Sequence, residues 1–400
     1  MDTQHPRQKT SQNQTGGRAA LANIEESKIR EVANAGMGVK DLLAFWFGEP
    51  DQVTPDFIRD AATRALDNGA TFYTQNLGVP QLRESIANYI STLHEPIDGS
   101  HVAVTSSGVS ALMLAYQALF DPGDRVVIIT PVWPNLTEGP KILGAVVTRV
   151  PLHYEHGWKL DLERLLAALT PATRALIINS PNNPTGWTMD RVGQEIVLAH
   201  CRKLGIWIIA DDVYERLYFE GDATCAPSFL DLAQDGDLIV STNSFSKSWL
   251  MTGWRLGWIV APPLLTEEFA KLIEYNTSCA PSFIQQAGIV ALEQGEAVTR
   301  QFRLRLKTAR TFLVEKLSAV PGVRVAAPPG AMYLFLGLDG VKDSVNFAKQ
   351  LVRDQKLGLA PGVAFGPEGE GYLRWCFASS IERLTEGVDR FQKGWATRPE

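Results

Sequence analysis

The chain holds 400 residues, 45% of them hydrophobic and 20% charged. That balance excludes a disordered chain and leaves room for two or three folding units at roughly 150 residues each. With 38 basic against 44 acidic residues the net charge is −6, which argues against a bulk nucleic-acid binder.

No apolar run approaches the roughly 20 residues that a bilayer span requires, so no membrane association is expected. The stretch 205–210 stops at Asp211 and Asp212. The first residues are polar and lack the apolar core of a secretory signal. Cys201, Cys225, Cys279 and Cys376 are scattered and form no CxxC pair. Reduced thiols and a cytoplasmic location are the expectation.

Residues 1–20 read as a disordered tail, rich in Gln, Thr, Ser and Gly. The pattern turns amphipathic over 21–35. A helix is expected over 54–68, with Thr54 as the N-cap and Pro55 in the first helical position. Ile58, Ala61, Ala62 and Leu66 recur there at helical spacing. From about 100 onward strands and helices alternate. Strands are expected over 101–105, 125–130, 175–179, 207–210 and 238–242, with helices over 110–120 and 192–203. Short apolar runs ending in polar residues suit strands buried on both faces of a mainly parallel sheet. The last third reads as a smaller α+β unit. A long helix over 297–320 precedes strands at 323–326, 332–338 and 372–378, a helix at 344–355 and a final helix.

In an open α/β sheet, ligands sit at the carboxyl ends of the strands. After 238–242 comes Asn243-Ser244-Phe245-Ser246-Lys247, then Met251-Thr252-Gly253-Trp254-Arg255-Leu256-Gly257. Two hydroxyls and a guanidinium can cradle a phosphate, and the remaining amine can form a Schiff base with an aldehyde. Alone, Lys247 reads as well as a solvated loop lysine. After 207–210 come Asp211, Asp212, Val213 and Tyr214. A carboxylate at a strand end can hold a protonated ring nitrogen, or simply cap a helix. After 175–179 comes Ser180-Pro181-Asn182-Asn183-Pro184-Thr185-Gly186, a stiff turn with an amide donor at Asn183. Ser106-Ser107-Gly108-Val109-Ser110 opens a helix whose free N–H groups suit an anion. Trp133 follows 125–130 and can stack on an aromatic ring or fill the core.

Their joint occurrence in this order resembles the class I aminotransferases of pyridoxal phosphate (PLP) fold type I, akin to aspartate and aromatic aminotransferases. The resemblance spans about 25–395. It implies an α/β fold with a large, mainly parallel sheet domain over 60–295 and a smaller α+β domain over 296–400. An N-terminal arm over 21–59 would join the smaller domain.

By matched position, Lys247 would hold PLP as a Schiff base and later carry the proton at Cα. Arg255, Ser244, Ser246 and the Ser107-Gly108-Val109 backbone would bind the phosphate. Asp211 would pair with the pyridine nitrogen, Asn183 and Tyr214 would bond the ring hydroxyl, and Trp133 would stack on the ring. Tyr73, in Phe72-Tyr73-Thr74-Gln75, resembles a tyrosine that reaches the neighbouring subunit's phosphate, which implies a homodimer. Arg374 would grip the substrate carboxylate, a task that suits its planar fork, and the Gly48 backbone would lie against substrate. Val109, Gln75 and Asp212 depart from the usual pattern. Val109 removes one side-chain bond to the phosphate.

The implied activity is transfer of an amino group from an L-amino acid to a 2-oxo acid, 2-oxoglutarate being the expected acceptor. A PLP-dependent carbon–sulfur β-lyase on the same scaffold is the alternative. A non-enzymatic PLP-sensing regulator stands further off, because about 20 residues ahead of the resemblance are too few for a helix-turn-helix module. The amino donor stays open. A second carboxylate-binding arginine is not placed, and Phe45, Trp46 and Phe47 read equally as substrate wall or as packing.

Overall fold

The computed structural model describes residues 21–22 and 24–398. The tail expected over 1–20 lies outside them.

Seven strands form the larger sheet: β1 (Val102–Thr105), β2 (Arg125–Thr130), β3 (Val146–Pro151), β4 (Thr173–Asn179), β5 (Trp207–Asp211), β6 (Ile239–Ser244) and β7 (Gly257–Val260). Their order is β1-β7-β6-β5-β4-β2-β3. The pairs among β2 to β6 are parallel, and β7 runs antiparallel to both of its neighbours. Alternate residues of the aliphatic runs enter two separate cores. Val127, Ile129, Leu176, Ile178 and Ile208 face one, whereas Val126, Ile128, Ala175, Ile177 and Ile209 face the other. Burial on both faces explains why these strands read as unbroken apolar runs.

The antiparallel β7 brings its first residue to the edge where the parallel strands end. Gly257 pairs there with Thr105 and with Ser244. A Cβ on Gly257 would meet the Ser107–Gly108 backbone and the Asn243 carbonyl at 2.7 Å, so only glycine allows this approach. The consequence for the site is that Arg255, two residues earlier, is delivered to the same edge as Ser244 and Lys247.

A second sheet is antiparallel throughout: β8 (Val323–Arg324), β9 (Tyr333–Leu338), β10 (Ala360–Pro361) and β11 (Tyr372–Cys376), ordered β8-β9-β11-β10. The helices Glu296–Ser318, Ser344–Gln355 and Ile381–Ala396 supply much of its core. The N-terminal segment belongs to that core as well. Ile29 and Val32 of the helix Lys28–Ala35 are buried in it, and Leu43–Ala44 pairs with Leu357–Gly358. Register places Phe335 opposite Arg374 and Tyr333 opposite Cys376, so all four side chains share one face of the sheet.

Two local expectations are corrected. The helix near 54–68 runs Asp56–Asp67 with Pro55, extended, in the cap position. Thr54 does not cap it. Its hydroxyl donates to the Leu250 carbonyl at 2.6 Å and accepts from Trp254 Nε1 at 2.9 Å, which ties this loop to the segment after Lys247. Leu66 is exposed, and Ala65 takes the inward place beside Ile58, Ala61 and Ala62. This narrow, largely alanine stripe packs on the helix Ser282–Gln294, and Leu66 falls beyond its edge.

A buried polar network supports the ends of β5 and β6. His94 Nδ1 lies 2.6 Å from Asp231 Oδ1, and Nε2 lies 3.1 Å from Glu215 Oε2. Both nitrogens face carboxylate oxygens, so both carry hydrogen and the ring is an imidazolium. Burial opposes that charge, but the bonds to Asp231 and Glu215 outweigh it and push the pKa up to about 10. Glu215 accepts in turn from Asn243 Nδ2 at 2.8 Å, and Asn243 Oδ1 accepts the Ser244 N–H at 2.8 Å.

Removing one member of such a network strands the other charges. His94→Gln is expected to lower unfolding stability by about 3 kcal/mol. The raised pKa gives the histidine's contribution its sign. It is complete below the unfolded value of 6.5 and is lost as pH rises through about 10. Urea melts from pH 6 to 10 should show the two proteins converging. A gap that stays constant over this range contradicts the assignment.

Candidate active site

The strand ends and the small sheet's inner face enclose a cavity of about 500 Å³. Of the residues expected from sequence, Gly48, Gly108, Val109, Trp133, Asn183 and Asp211 line it. So do Tyr214, Ser244, Ser246, Lys247, Arg255 and Arg374. Two do not. Ser107, expected to act through its backbone, is not a lining residue, and its hydroxyl caps the helix Gly108–Leu119 by accepting the Ser110 N–H at 3.0 Å. Tyr73 stands 88% exposed, outside the cavity of its own chain.

Lys247 lies just past β6 in the turn that follows. Its Nζ donates to the Gly48 carbonyl at 2.5 Å and lies 5.9 Å from the centre of the Tyr214 ring. Burial, the largest cause, brings the amine down to about 8. Arg374 and Arg255 push in the same direction, while Cys376 and Glu49 oppose them. The result is an amine poised to lose its proton near neutral pH.

Asp211 is the last residue of β5 and is buried. Its carboxylate accepts the Val213 N–H and makes no ion pair among the described residues. Burial first, then the charge of Asp212, raises its pKa to about 7. A carboxylate so raised gains from any cation placed beside it. Asn179 and Asn183 hold the neighbouring strand end. Asn179 Nδ2 donates to the Asp211 carbonyl at 3.0 Å, and Asn179 Oδ1 accepts the Asn183 N–H at 2.7 Å. The Trp133 N–H donates to the Asn183 carbonyl at 2.8 Å, which fixes the indole at the cavity wall.

At the other end of the cavity Gly108 opens a helix against Ser244, and a Cβ on Gly108 would lie 3.2 Å from the Ser244 Cβ. The helix N-terminus, the hydroxyls of Ser244 and Ser246 and the Arg255 guanidinium form a cup with the donors and charge an anion needs. Arg255 has left-handed backbone and donates to the Thr252 carbonyl at 2.6 Å.

Arg374 is 2% exposed. Nη1 donates to Asn183 Oδ1 at 2.9 Å, Nη2 donates to the Trp46 carbonyl, and Nε has no partner. The guanidinium lies 4.4 Å from the Tyr333 ring centre and 4.8 Å from that of Phe365. No carboxylate pairs with it among the described residues. A buried, unpaired guanidinium facing a cavity calls for an anionic ligand.

Tyr333, Ile29, Arg30 and Leu112 line the cavity but carry no sequence signal that singles them out. Tyr333 sits in an apolar strand, and its hydroxyl is 2.6 Å from that of Tyr214. Gly48 is glycine because a Cβ would collide with that same hydroxyl. Ile29, Arg30 and Leu112 also line the cavity together with Phe47, on whose ring Arg30 rests at 4.9 Å. Of the three aromatics left open in the sequence, Phe47 is wall, whereas Phe45 and Trp46 are core.

The donor set fits pyridoxal phosphate. The anion cup would take the phosphate, Asp211 would face the ring nitrogen, Lys247 would meet the aldehyde, and Trp133 lines the space the ring would fill. Among the described residues no His, Cys, Asp and Glu cluster is arranged to hold a metal, and no helix is long and apolar enough to cross a membrane.

Comparison with known proteins agrees in chemistry. The family model described as aminotransferase class I and II matches residues 40–391. An aspartate aminotransferase of Pyrococcus horikoshii is 36% identical over 92% of this chain and 95% of its own length. An aromatic-amino-acid aminotransferase of Thermococcus litoralis is 31% identical over 93% and 96%. The crystal structure of an aspartate aminotransferase from Thermotoga maritima superposes with a TM-score of 0.87 at 35% identity, over 94% of this chain and 99% of that one.

Proposed function

The chain belongs to the class I and II aminotransferase family, whose enzymes use pyridoxal phosphate, and on that premise we propose that it moves an amino group from an L-amino acid to 2-oxoglutarate, with Lys247 as the residue that tethers the cofactor. One observation carries this reading. An amine with a lowered pKa, a carboxylate, a guanidinium and an anion cup face a single cavity, and among the described residues the first three make no ion pair. Cofactor and substrate together supply a partner for each.

When bound, pyridoxal phosphate supplies an aldehyde carbon to which amines add and a protonated ring that takes up the electrons left at Cα. The residues do the rest. Asp211 keeps the proton on the ring nitrogen, and its own raised pKa is drawn down by the cation it meets. The cup of Ser244, Ser246, Arg255, Gly108 and Val109 anchors the phosphate, and Trp133 covers one face of the ring. Asn183 and Tyr214 donate to the ring hydroxyl. Arg374 would hold the substrate α-carboxylate with its guanidinium and so turn the Cα–H bond toward Lys247. Nζ of Lys247 would remove that proton, and burial, which lowers its pKa to about 8, makes the neutral amine far more accessible than in a free lysine.

The relatives' names cover aspartate and aromatic donors, and a Pyrococcus furiosus neighbour is titled alanine aminotransferase, so likeness alone does not choose the amino donor. We place a second copy of the chain against the loop that carries Tyr73. Phe72 and Tyr73 stand exposed beside the segment with exposed Tyr275, and Asn76 bonds across to Ser278. A partner covering this aromatic patch would receive the Tyr73 hydroxyl at its phosphate cup.

Lys247→Ala is expected to abolish multiple turnover of any amino donor with 2-oxoglutarate. Retained turnover contradicts the proton role. Cysteine-type substrates that yield pyruvate and ammonia without an acceptor would instead favour the β-lyase. Sedimentation of the active holoprotein is expected to give twice the chain mass, and a fully active monomer contradicts the dimer.

A further inference from the structure

We propose that Tyr333 is a positioning residue with two separable tasks: its hydroxyl strengthens Tyr214 as a donor to the cofactor, and its ring face sets Arg374 for the substrate carboxylate. This rests on the function proposed above.

Tyr333 stands on β9 of the small sheet, fully buried, whereas Tyr214 follows β5 of the large one. Their hydroxyl oxygens are 2.6 Å apart, at the short end for an O–H···O bond, with the rings at 81°. Two neutral phenols in this contact share one hydrogen between the oxygens. When Tyr214 turns its hydrogen to the cofactor's ring hydroxyl, its own oxygen is left to accept from Tyr333. A donor that itself accepts a hydrogen bond is a stronger donor. Removing the Tyr333 hydroxyl therefore weakens the bond that favours the ionised ring hydroxyl.

The second task lies on the ring. Arg374 Cζ sits 4.4 Å from the Tyr333 ring centre, and the register of β9 on β11 keeps both side chains on one sheet face. The same hydroxyl is what a Cβ at Gly48 would strike, and the Gly48 carbonyl accepts from Lys247. One side chain thus touches the substrate-carboxylate arginine, the ring-hydroxyl tyrosine and the Gly48 loop whose carbonyl accepts from the lysine.

Two holoenzyme variants separate the tasks. Tyr333→Phe keeps the ring and drops the hydroxyl, and Tyr333→Leu drops both. The readouts are the pH midpoint of the bound-cofactor absorbance and the dissociation constant of the best amino donor in a single half-reaction. For Tyr333→Phe the midpoint is expected to rise by about half a pH unit with donor affinity held within about twofold. Tyr333→Leu is expected to show the same rise together with roughly fivefold weaker donor binding. A Phe variant whose midpoint stays at the wild-type value overturns the proposal, as does a Leu variant that binds donor normally. Should the wild type show no bound-cofactor absorbance and no half-reaction, it is the functional reading that fails instead.

Discussion

Taking an ionised group out of water costs several kcal/mol unless an opposite charge or a full set of hydrogen bonds meets it. Among the described residues, Arg374 is almost completely buried with one nitrogen unsatisfied and no carboxylate paired with it, and Asp211 is buried with no cation bonded to it. A chain selected only for stability would pair or remove such groups. Here both line one cavity, Arg374 against the Tyr333 and Phe365 rings and the Asn183 amide, and Asp211 beside Asn179. The remaining features of the centre follow from that arrangement. Lys247 is depressed by burial and by two guanidiniums, and under the proposed function the ligands that would pair with Asp211 and Arg374 are those whose proton this amine would take.

The two sheets divide the labour. The large sheet brings its parallel strand ends and the start of β7 to one edge, so residues far apart in sequence meet there without long loops. The small sheet supplies Arg374 and Tyr333, and the N-terminal segment contributes Gly48 and the wall around Phe47. Backbone bonds stitch these parts together, as where the Val132 N–H donates to the Phe365 carbonyl at 3.0 Å. Behind the edge, the His94 imidazolium balances Glu215 and Asp231, which lets Asn243 and Ser244 keep fixed positions at the base of the anion cup.

What was legible in the sequence follows from local physics. Strands buried on both faces announce themselves as aliphatic runs, and Arg125–Thr130 and the helix Ser344–Gln355 fall where the pattern puts them. The polar residues after those runs are the ones that line the cavity. The antiparallel β7 escaped because its four residues follow a glycine- and tryptophan-rich motif with no turn signal between them. The helix Asn135–Ile142 carries Pro140 inside it and shows no apolar period. Tyr333 looked like any core aromatic, since its role depends on a partner 119 positions away. The His94 network was equally out of reach, its carboxylates being 121 and 137 positions distant. Thr54 misled because a threonine before a proline-led helix imitates a cap, whereas the nearby Leu250 carbonyl claimed its hydroxyl.

The proposed chemistry depends on a covalent tether at one amine. Borohydride reduction of the purified holoprotein, followed by peptide mapping, tests it directly. The peptide carrying Lys247 should gain the mass of the reduced cofactor, and no other lysine should. An unlabelled Lys247, or a label on a different side chain, would contradict the central claim.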